Sequence, residues 1–130
     1  MKWLEWLKAR FGFKARPVQN SNILPSGVDE YHVKEIYLGY SGELRAGNLE
    51  ICFSCSVRDG VLVNIKTISK WKILFEFCDG NYLINDDRVK YTNLLAKLKE
   101  LREMQEELDS PEAYEQLQAI VIEHLAKNKV

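Results

Sequence analysis

The chain has 130 residues, of which 46% are hydrophobic and 28% charged, and its formal net charge is −1. This length suits one domain with a core of its own, and the composition argues against a disordered chain. The nearly balanced charge argues against a general nucleic-acid binder, because such proteins carry a clear basic excess.

The first predicted element is a short helix, residues 2–11, in an amino-terminal arm of residues 1–13. Residues 1–16 hold five basic groups and one acidic group, so the arm is basic while the rest of the chain is mildly acidic. The apolar side chains of this helix share one arc of the helical wheel: Trp3, Leu4, Trp6, Leu7 and Phe11. A helix this short is only marginally stable in isolation, so we expect it to dock against another surface.

Two interpretations of this arm stay open at the level of sequence. It can cap an edge or an end of the protein's own core. It can instead bind a partner groove or a membrane surface, where its basic groups would meet anionic groups. For the second interpretation the predicted contact residues are Trp3, Trp6, Lys8, Arg10 and Phe11.

A loop is predicted for residues 14–29 and an antiparallel sheet of four or five strands for residues 30–85. Apolar and polar residues alternate in this sheet region, and the Asp59-Gly60 and Asp79-Gly80 pairs are typical of hairpin turns. Residues 31–40 are assigned to the first strand. One face of the sheet is predicted to be polar and to carry Cys52, Ser54, Ser56, Asn64 and Lys66. The other face, with Trp71, Phe75 and Phe77, needs a cover.

A helical hairpin is predicted for residues 86–127. Asp86 or Asp87 can cap its first helix, which is expected to run to about residue 108. Ser110 and Pro111 suit the N-cap and first position of the second helix. The expected fold is therefore α+β: a short amino-terminal helix, the antiparallel meander, and the hairpin packed on one sheet face. The long first helix also makes a homodimer through the carboxy-terminal helices a candidate.

Cysteine spacing argues against a metal or redox site. Cys52 and Cys55 form a CxxC, but residues three apart on a strand point to opposite faces, and no second CxxC completes a set of four ligands. An odd number of cysteines without a signal peptide or membrane span indicates free thiols. We therefore expect a cytoplasmic protein with no cofactor and no bound metal.

The remaining candidate groups have structural interpretations. His124 is expected at the boundary of the second helix, and His32 near the start of a strand, although either could serve a Cys–His site. Adjacent Asp86 and Asp87 are explained by helix capping, and an acidic run from Glu100 to Asp109 by a solvated helix face. No nucleotide-binding, zinc-protease or serine-hydrolase motif is present.

The sequence therefore favours a small non-enzymatic interaction module, such as an adaptor, an inhibitor or an immunity-type protein, whose partner is another protein. The alternative is a peripheral contact with a membrane or nucleic acid through the basic arm, which salt should weaken. An enzyme with a dispersed active site is the third hypothesis. The polar sheet face is a further candidate binding platform.

Overall fold

The computed structural model describes residues 17–18, 24–25, 27–104 and 107–128, which form one antiparallel sheet and two helices. The strands are β1 (Pro17–Val18), β2 (Glu30–Ile36), β3 (Gly39–Ala46), β4 (Leu49–Ser56), β5 (Gly60–Thr67), β6 (Ile73–Cys78) and β7 (Asn81–Ile84). The helices are α1 (Arg88–Met104) and α2 (Pro111–Lys127). Each strand pairs with its neighbours in the chain, so β2 to β7 form a six-stranded meander with the two-residue β1 at its edge.

The prediction of four or five strands was too low, because residues 31–40 are not one strand. A tight turn at Tyr37 and Leu38 separates β2 from β3. Leu38 adopts a left-handed backbone with φ 55, a position where turns usually place glycine or asparagine, so the sequence carried no turn signal there. The predicted loop also contains β1, whose two residues pair with Tyr31 and His32. The predicted amino-terminal helix lies outside the described residues.

The two Asp-Gly turn predictions are confirmed. The chain reverses before Gly60, which has φ 75, and the amide of Asp59 donates to Ser56 Oγ at 3.0 Å. Asp79 and Gly80, with φ 48 and 114, join β6 to β7. The left-handed Gly60 in the first hairpin, and Asp79 and Gly80 in the second, explain why the Asp-Gly pairs were reliable turn signals.

Trp71 was wrongly placed on the covered face of the sheet. The alternation that includes Phe75 does not continue back to Trp71, because a bulge at Leu74 shifts the register and Ile73 pairs with Lys66 instead. One extra residue exchanges the two faces of a strand. Trp71 therefore precedes β6, with φ 54 and 59% of its surface exposed.

The helix caps follow the sequence signals. Asp87 Oδ1 accepts a hydrogen bond from the amide of Val89 at 3.1 Å, and Ser110 Oγ accepts one from that of Ala113, also at 3.1 Å. The first helix is shorter than predicted, since α1 ends at Met104. A turn before the second cap, in which the amide of Ser110 donates to the Glu107 carbonyl, replaces the helical end expected near residue 108. Ser110 itself is extended, as a residue before proline prefers to be.

Both helices cover one face of the sheet, as predicted for the hairpin. The α2 helix lies over β3 and β4, while α1 lies over β5 and β6. The hydrophobic core lies between the helices and the sheet. Both layers contribute its largest fully buried side chains: Tyr31, Phe53, Phe75, Phe77, Tyr91 and Tyr114. The hydroxyls of Tyr31 and Tyr114 are 2.6 Å apart, and Tyr31 also donates to Gln118. Burial raises the pKa of both tyrosines, so this cluster stays neutral at ordinary pH.

Candidate interaction surface

The opposite side of the sheet, here called the open face, carries none of the described helices. Pairing aligns its side chains in three rows across the strands. The first row is Glu30, Arg45, Glu50, Lys66 and Ile73; the second is His32, Glu43, Cys52, Asn64, Glu76 and Leu83; the third is Lys34, Ser41, Ser54, Leu62, Cys78 and Asn81. These rows confirm the predicted polar character for Cys52, Ser54, Asn64 and Lys66. Ser56 is instead fully buried beside a turn.

Two adjoining depressions mark the centre of the open face. One has a volume of about 320 Å³ and is lined in part by Ser54, Leu62 and Asn64. Its neighbour, of about 310 Å³, reaches toward β2. Ser41 and Cys52 line both, so the two form one shallow trough across β2 to β6. The trough exists because small side chains occupy the central strands while longer ones stand around them.

A charged network closes one end of the open face. Glu50 is only 6% exposed, yet its carboxylate lies 3.2 Å from Arg45 Nη2 and 3.4 Å from Lys66 Nζ. Lys66 Nζ also lies 4.8 Å from the centre of the Trp71 ring. The buried charge is therefore paired on both sides, as a low-dielectric site requires. This network lies in the first row of the open face, next to the row whose Cys52 lines both depressions.

The middle row does not assemble a nucleophilic site. His32 and Cys52 lie in the same row, but Glu43 on β3 stands between them, which separates them by two strand spacings, about 9–10 Å. His32 Nε2 is 3.8 Å from a Glu30 carboxylate oxygen instead. Burial, and then the charge of Glu43, raises the pKa of the Cys52 thiol, which therefore stays protonated. The strand spacing therefore keeps Cys52 and His32 apart.

The CxxC cysteines lie on opposite faces, as predicted. Cys55 is fully buried under the helices, and burial raises its pKa to about 12, whereas Cys52 is half-buried on the open face. Cys78 is exposed. Among residues 27–104 and 107–128, no group of three or more histidine, cysteine or acidic side chains is arranged to hold a metal ion.

The other titratable candidates have structural contacts. His124 stacks on Tyr91 with ring centres 5.2 Å apart, and burial, then the charge of Lys90, lowers its pKa to about 4. This confirms the boundary position predicted for it. Asp86 forms an ion pair with Lys90 at 3.9 Å, next to the Asp87 cap. Neither aspartate faces the trough.

Large apolar side chains are exposed at both ends of the sheet. At one end, Tyr37, Leu38 and Val57 form what we call the turn patch, since they lie in the β2–β3 and β4–β5 turns. At the other end, Trp71 is exposed between Lys70 and Lys72 in the tryptophan loop, residues 68–72. The sequence analysis missed both sites because it assigned Tyr37 to the first strand and Trp71 to the covered face of the sheet. For Val57, the Arg58-Asp59-Gly60 turn that follows was the available signal.

The predicted contact residues Trp3, Trp6, Lys8, Arg10 and Phe11 lie outside the described residues, so their role stays a prediction. The apolar positions of α1, Tyr91, Leu94, Leu98 and Leu101, are buried in the chain's own core. A homodimer through the helices also stays a prediction, and it would have to use other side chains.

Comparison with known proteins found no family model, no curated protein and no solved structure that this chain matches. Within the part of the chain that the structure describes, no helix is both long enough and apolar enough to cross a membrane.

Proposed function

We propose that this chain is a small non-enzymatic interaction module, such as an adaptor, an inhibitor or an immunity-type protein, and that it binds another protein through the open face. The observation that carries this proposal is the trough, which crosses the centre of a sheet face that none of the described helices covers. A face of this size is either left in water or used for contact. Its central position, away from both sheet edges, suits an area of contact rather than a single deep ligand pocket.

The chemistry of the open face supports protein binding. Its floor includes Leu62 and small side chains, while charged groups of both signs surround it, including Lys34, Glu43 and Glu76. Protein interfaces commonly combine a desolvated centre with a polar rim. The protonated Cys52 thiol also lacks the thiolate character that nucleophilic catalysis requires.

The test fills the trough without touching the core. The full chain, tagged at the carboxy terminus, is purified from its native host, and a stoichiometric partner is identified by mass spectrometry. We expect Ser54→Arg, which places a long side chain in the trough, to abolish co-purification. Val89→Arg is the matched control, because Val89 is 83% exposed on α1, away from the trough. Retention of the partner by the Ser54→Arg protein, shown to be folded by circular dichroism, would contradict the proposal.

Deletion of residues 1–14 tests the arm separately. If Trp3, Trp6, Lys8, Arg10 and Phe11 contribute contacts, the deletion weakens the same complex even though the trough is intact. An unchanged affinity would remove these five residues from the proposed interface and leave the open face as its sole candidate.

The alternative, contact with an anionic membrane or nucleic acid, gains one specific observation from the tryptophan loop. Trp71 is exposed, and Lys66, Lys70 and Lys72 lie around it, so a second basic aromatic segment accompanies the amino-terminal arm. Tryptophan beside lysine suits the interface of an anionic bilayer. Binding to anionic vesicles or to nucleic acid that falls steeply with added salt, and falls further in Lys70→Glu with Lys72→Glu, would favour this alternative.

A further inference from the structure

The turn patch places three exposed apolar side chains on two neighbouring turns at one end of the sheet. Tyr37 and Val57 are 74% and 54% exposed, and Leu38 is exposed beside them. The two turns that carry them are joined, because the amide of Val57 donates to the carbonyl of Leu38 at 3.1 Å. Three large apolar side chains thus lie on neighbouring turns, each of them substantially exposed.

Leu38 adds a conformational cost to this exposure. Its φ of 55 lies in the left-handed region, which residues other than glycine rarely adopt. Packing against the described residues offsets that cost only in part, since the Leu38 side chain stays 43% exposed. A segment that covered Leu38 would supply the missing burial.

Carboxylates surround the turn patch. Asp59 belongs to the same turn as Val57, and Asp79 lies beside that turn, with its Oδ1 accepting a hydrogen bond from the amide of Val61 at 3.3 Å. Behind the patch, Glu35, Asp109 and Glu112 lie near Tyr40 and raise its pKa, after the larger effect of its burial. The basic groups near this end are Lys34, Arg58, Lys99 and Arg102: Lys99 Nζ lies 5.0 Å from the Tyr82 ring beside the β6–β7 turn, and Arg102 is paired with Asp79. Acidic groups therefore outnumber basic ones, so the patch suits a basic apolar segment.

The direction of β1 points to the source of such a segment. Pro17 pairs with His32 and Val18 with Tyr31, so the amino-terminal end of β1 faces along β2 toward Ile36 and the turn patch. From His32 to Tyr37 the distance along the strand is about 17 Å, at about 3.4 Å per residue. Residues 12–16 span about the same length when extended, so they could place residues 2–11 at the turn patch.

We propose that residues 2–11, the basic amphipathic segment of the arm, dock on the turn patch of the same molecule. Trp3, Trp6 and Phe11 supply apolar surface for Tyr37 and Val57, and the basic groups of the arm lie among the surrounding carboxylates. Of the two interpretations that the sequence left open, this is the one in which the arm covers an end of its own protein. It leaves the open face free, so it is independent of partner binding through that face and competes only with the use of the arm itself as a partner contact.

Tryptophan fluorescence tests the proposal, because the chain holds three tryptophans and Trp71 can be replaced. In a full-length Trp71→Phe protein, Trp3 and Trp6 are the remaining reporters. We expect their emission at shorter wavelength, and their quenching by acrylamide severalfold weaker, than in a synthetic peptide of residues 1–16. Emission and quenching equal to those of the free peptide would overturn the proposal.

Two variants in the Trp71→Phe background assign the docking site. Val57→Lys combined with Tyr37→Lys should return emission and quenching toward the peptide values, since both side chains are exposed and the core is untouched. Val89→Lys, the same change at an exposed valine on α1, should leave them unchanged. Equal responses in the two proteins, with circular dichroism showing both folded, would overturn the assignment.

Dilution of the protein and addition of lipid vesicles test whether the arm docks on its own molecule. Protection from quenching should persist on dilution, because docking is intramolecular. Protection that disappears on dilution would mean that the arm docks on a second copy, and protection seen only with anionic vesicles would mean that it docks on a membrane. Either result would overturn the proposal.

Discussion

Along β4, neighbouring side chains enter two different environments. Ile51, Phe53 and Cys55 are buried beneath the helices, whereas Cys52 and Ser54 stay partly exposed on the open face. The covered face holds the large side chains of the core, and the open face holds small polar ones with charges around them. The same strands therefore supply stability on one side and a candidate contact surface on the other, because alternate residues of a strand point in opposite directions.

The largest expected contrast between the faces is in stability. Ile65 and Leu62 lie on the same strand, but Ile65 is fully buried under the helices and Leu62 is half-buried on the open face. Ile65→Ala should lower the free energy of unfolding by about 2–5 kcal/mol, and Leu62→Ala by less than about 1 kcal/mol. Urea unfolding of both variants checks this. Equal losses would mean that something covers the open face as tightly as the helices cover the other.

A smaller effect is expected where the helical layer comes closest to the sheet. A Cβ atom at Gly42 would lie 2.7 Å from Phe53 Cζ and would also collide with the Tyr114 hydroxyl. Gly42→Ala should therefore destabilise by about 1–3 kcal/mol through overpacking. Gly47→Asn is the control, because Gly47 has φ 61 with open space around it and asparagine tolerates that backbone. If Gly42→Ala unfolds at the same urea concentration as the control, α2 packs less closely than described.

Acid should weaken the helical layer through His124. Because its pKa is lowered to about 4 in the folded state, against about 6.5 unfolded, the unfolded chain binds the proton more readily. The stabilising contribution of neutral, buried His124 is therefore present above about pH 6.5 and is lost as the pH falls toward about 4. His124→Phe keeps an aromatic ring for Tyr91 and removes this titration.

Urea unfolding at about pH 7 and about pH 4.5 isolates this effect, because the acidic groups titrate in both proteins. The stability of the parent relative to His124→Phe should be lower at the acidic pH. A constant difference between the two proteins would show that His124 does not carry the proton linkage.

The smallest expected effect is a difference in the reactivity of the three thiols, which involves no change in stability. With a thiol reagent near neutral pH, exposed Cys78 should react fastest and half-buried Cys52 more slowly, because burial and Glu43 raise its pKa. Cys55, with a pKa of about 12 and no exposed surface, should react only on unfolding. Peptide mapping of the labelled parent protein by mass spectrometry assigns each rate. Early modification of Cys55 would show that the covered face opens in the native state.

Much of the fold followed from local signals. Alternation predicted most of the strands, the Asp-Gly pairs predicted two turns, and Ser110-Pro111 predicted the start of α2, because each signal acts within a few residues. The Tyr37–Leu38 turn and the bulge at Leu74 could not be predicted in this way. Leu38 occupies a left-handed position without a turn residue, and Leu74 shifts the register against β5, so both depend on neighbouring strands.

The candidate site likewise combines features that local sequence predicts with features that depend on strand pairing. Local periodicity was sufficient to assign Cys52, Ser54 and Asn64 to a polar face and to place Cys55 on the opposite one. Pairing across four strands, β2 to β5, was needed to align Ser41 with Ser54 and Leu62 in a trough, and to put Glu43 between His32 and Cys52. Side-chain direction along a strand is a local property, whereas proximity between strands depends on register, and register is set by contacts between residues far apart in the chain.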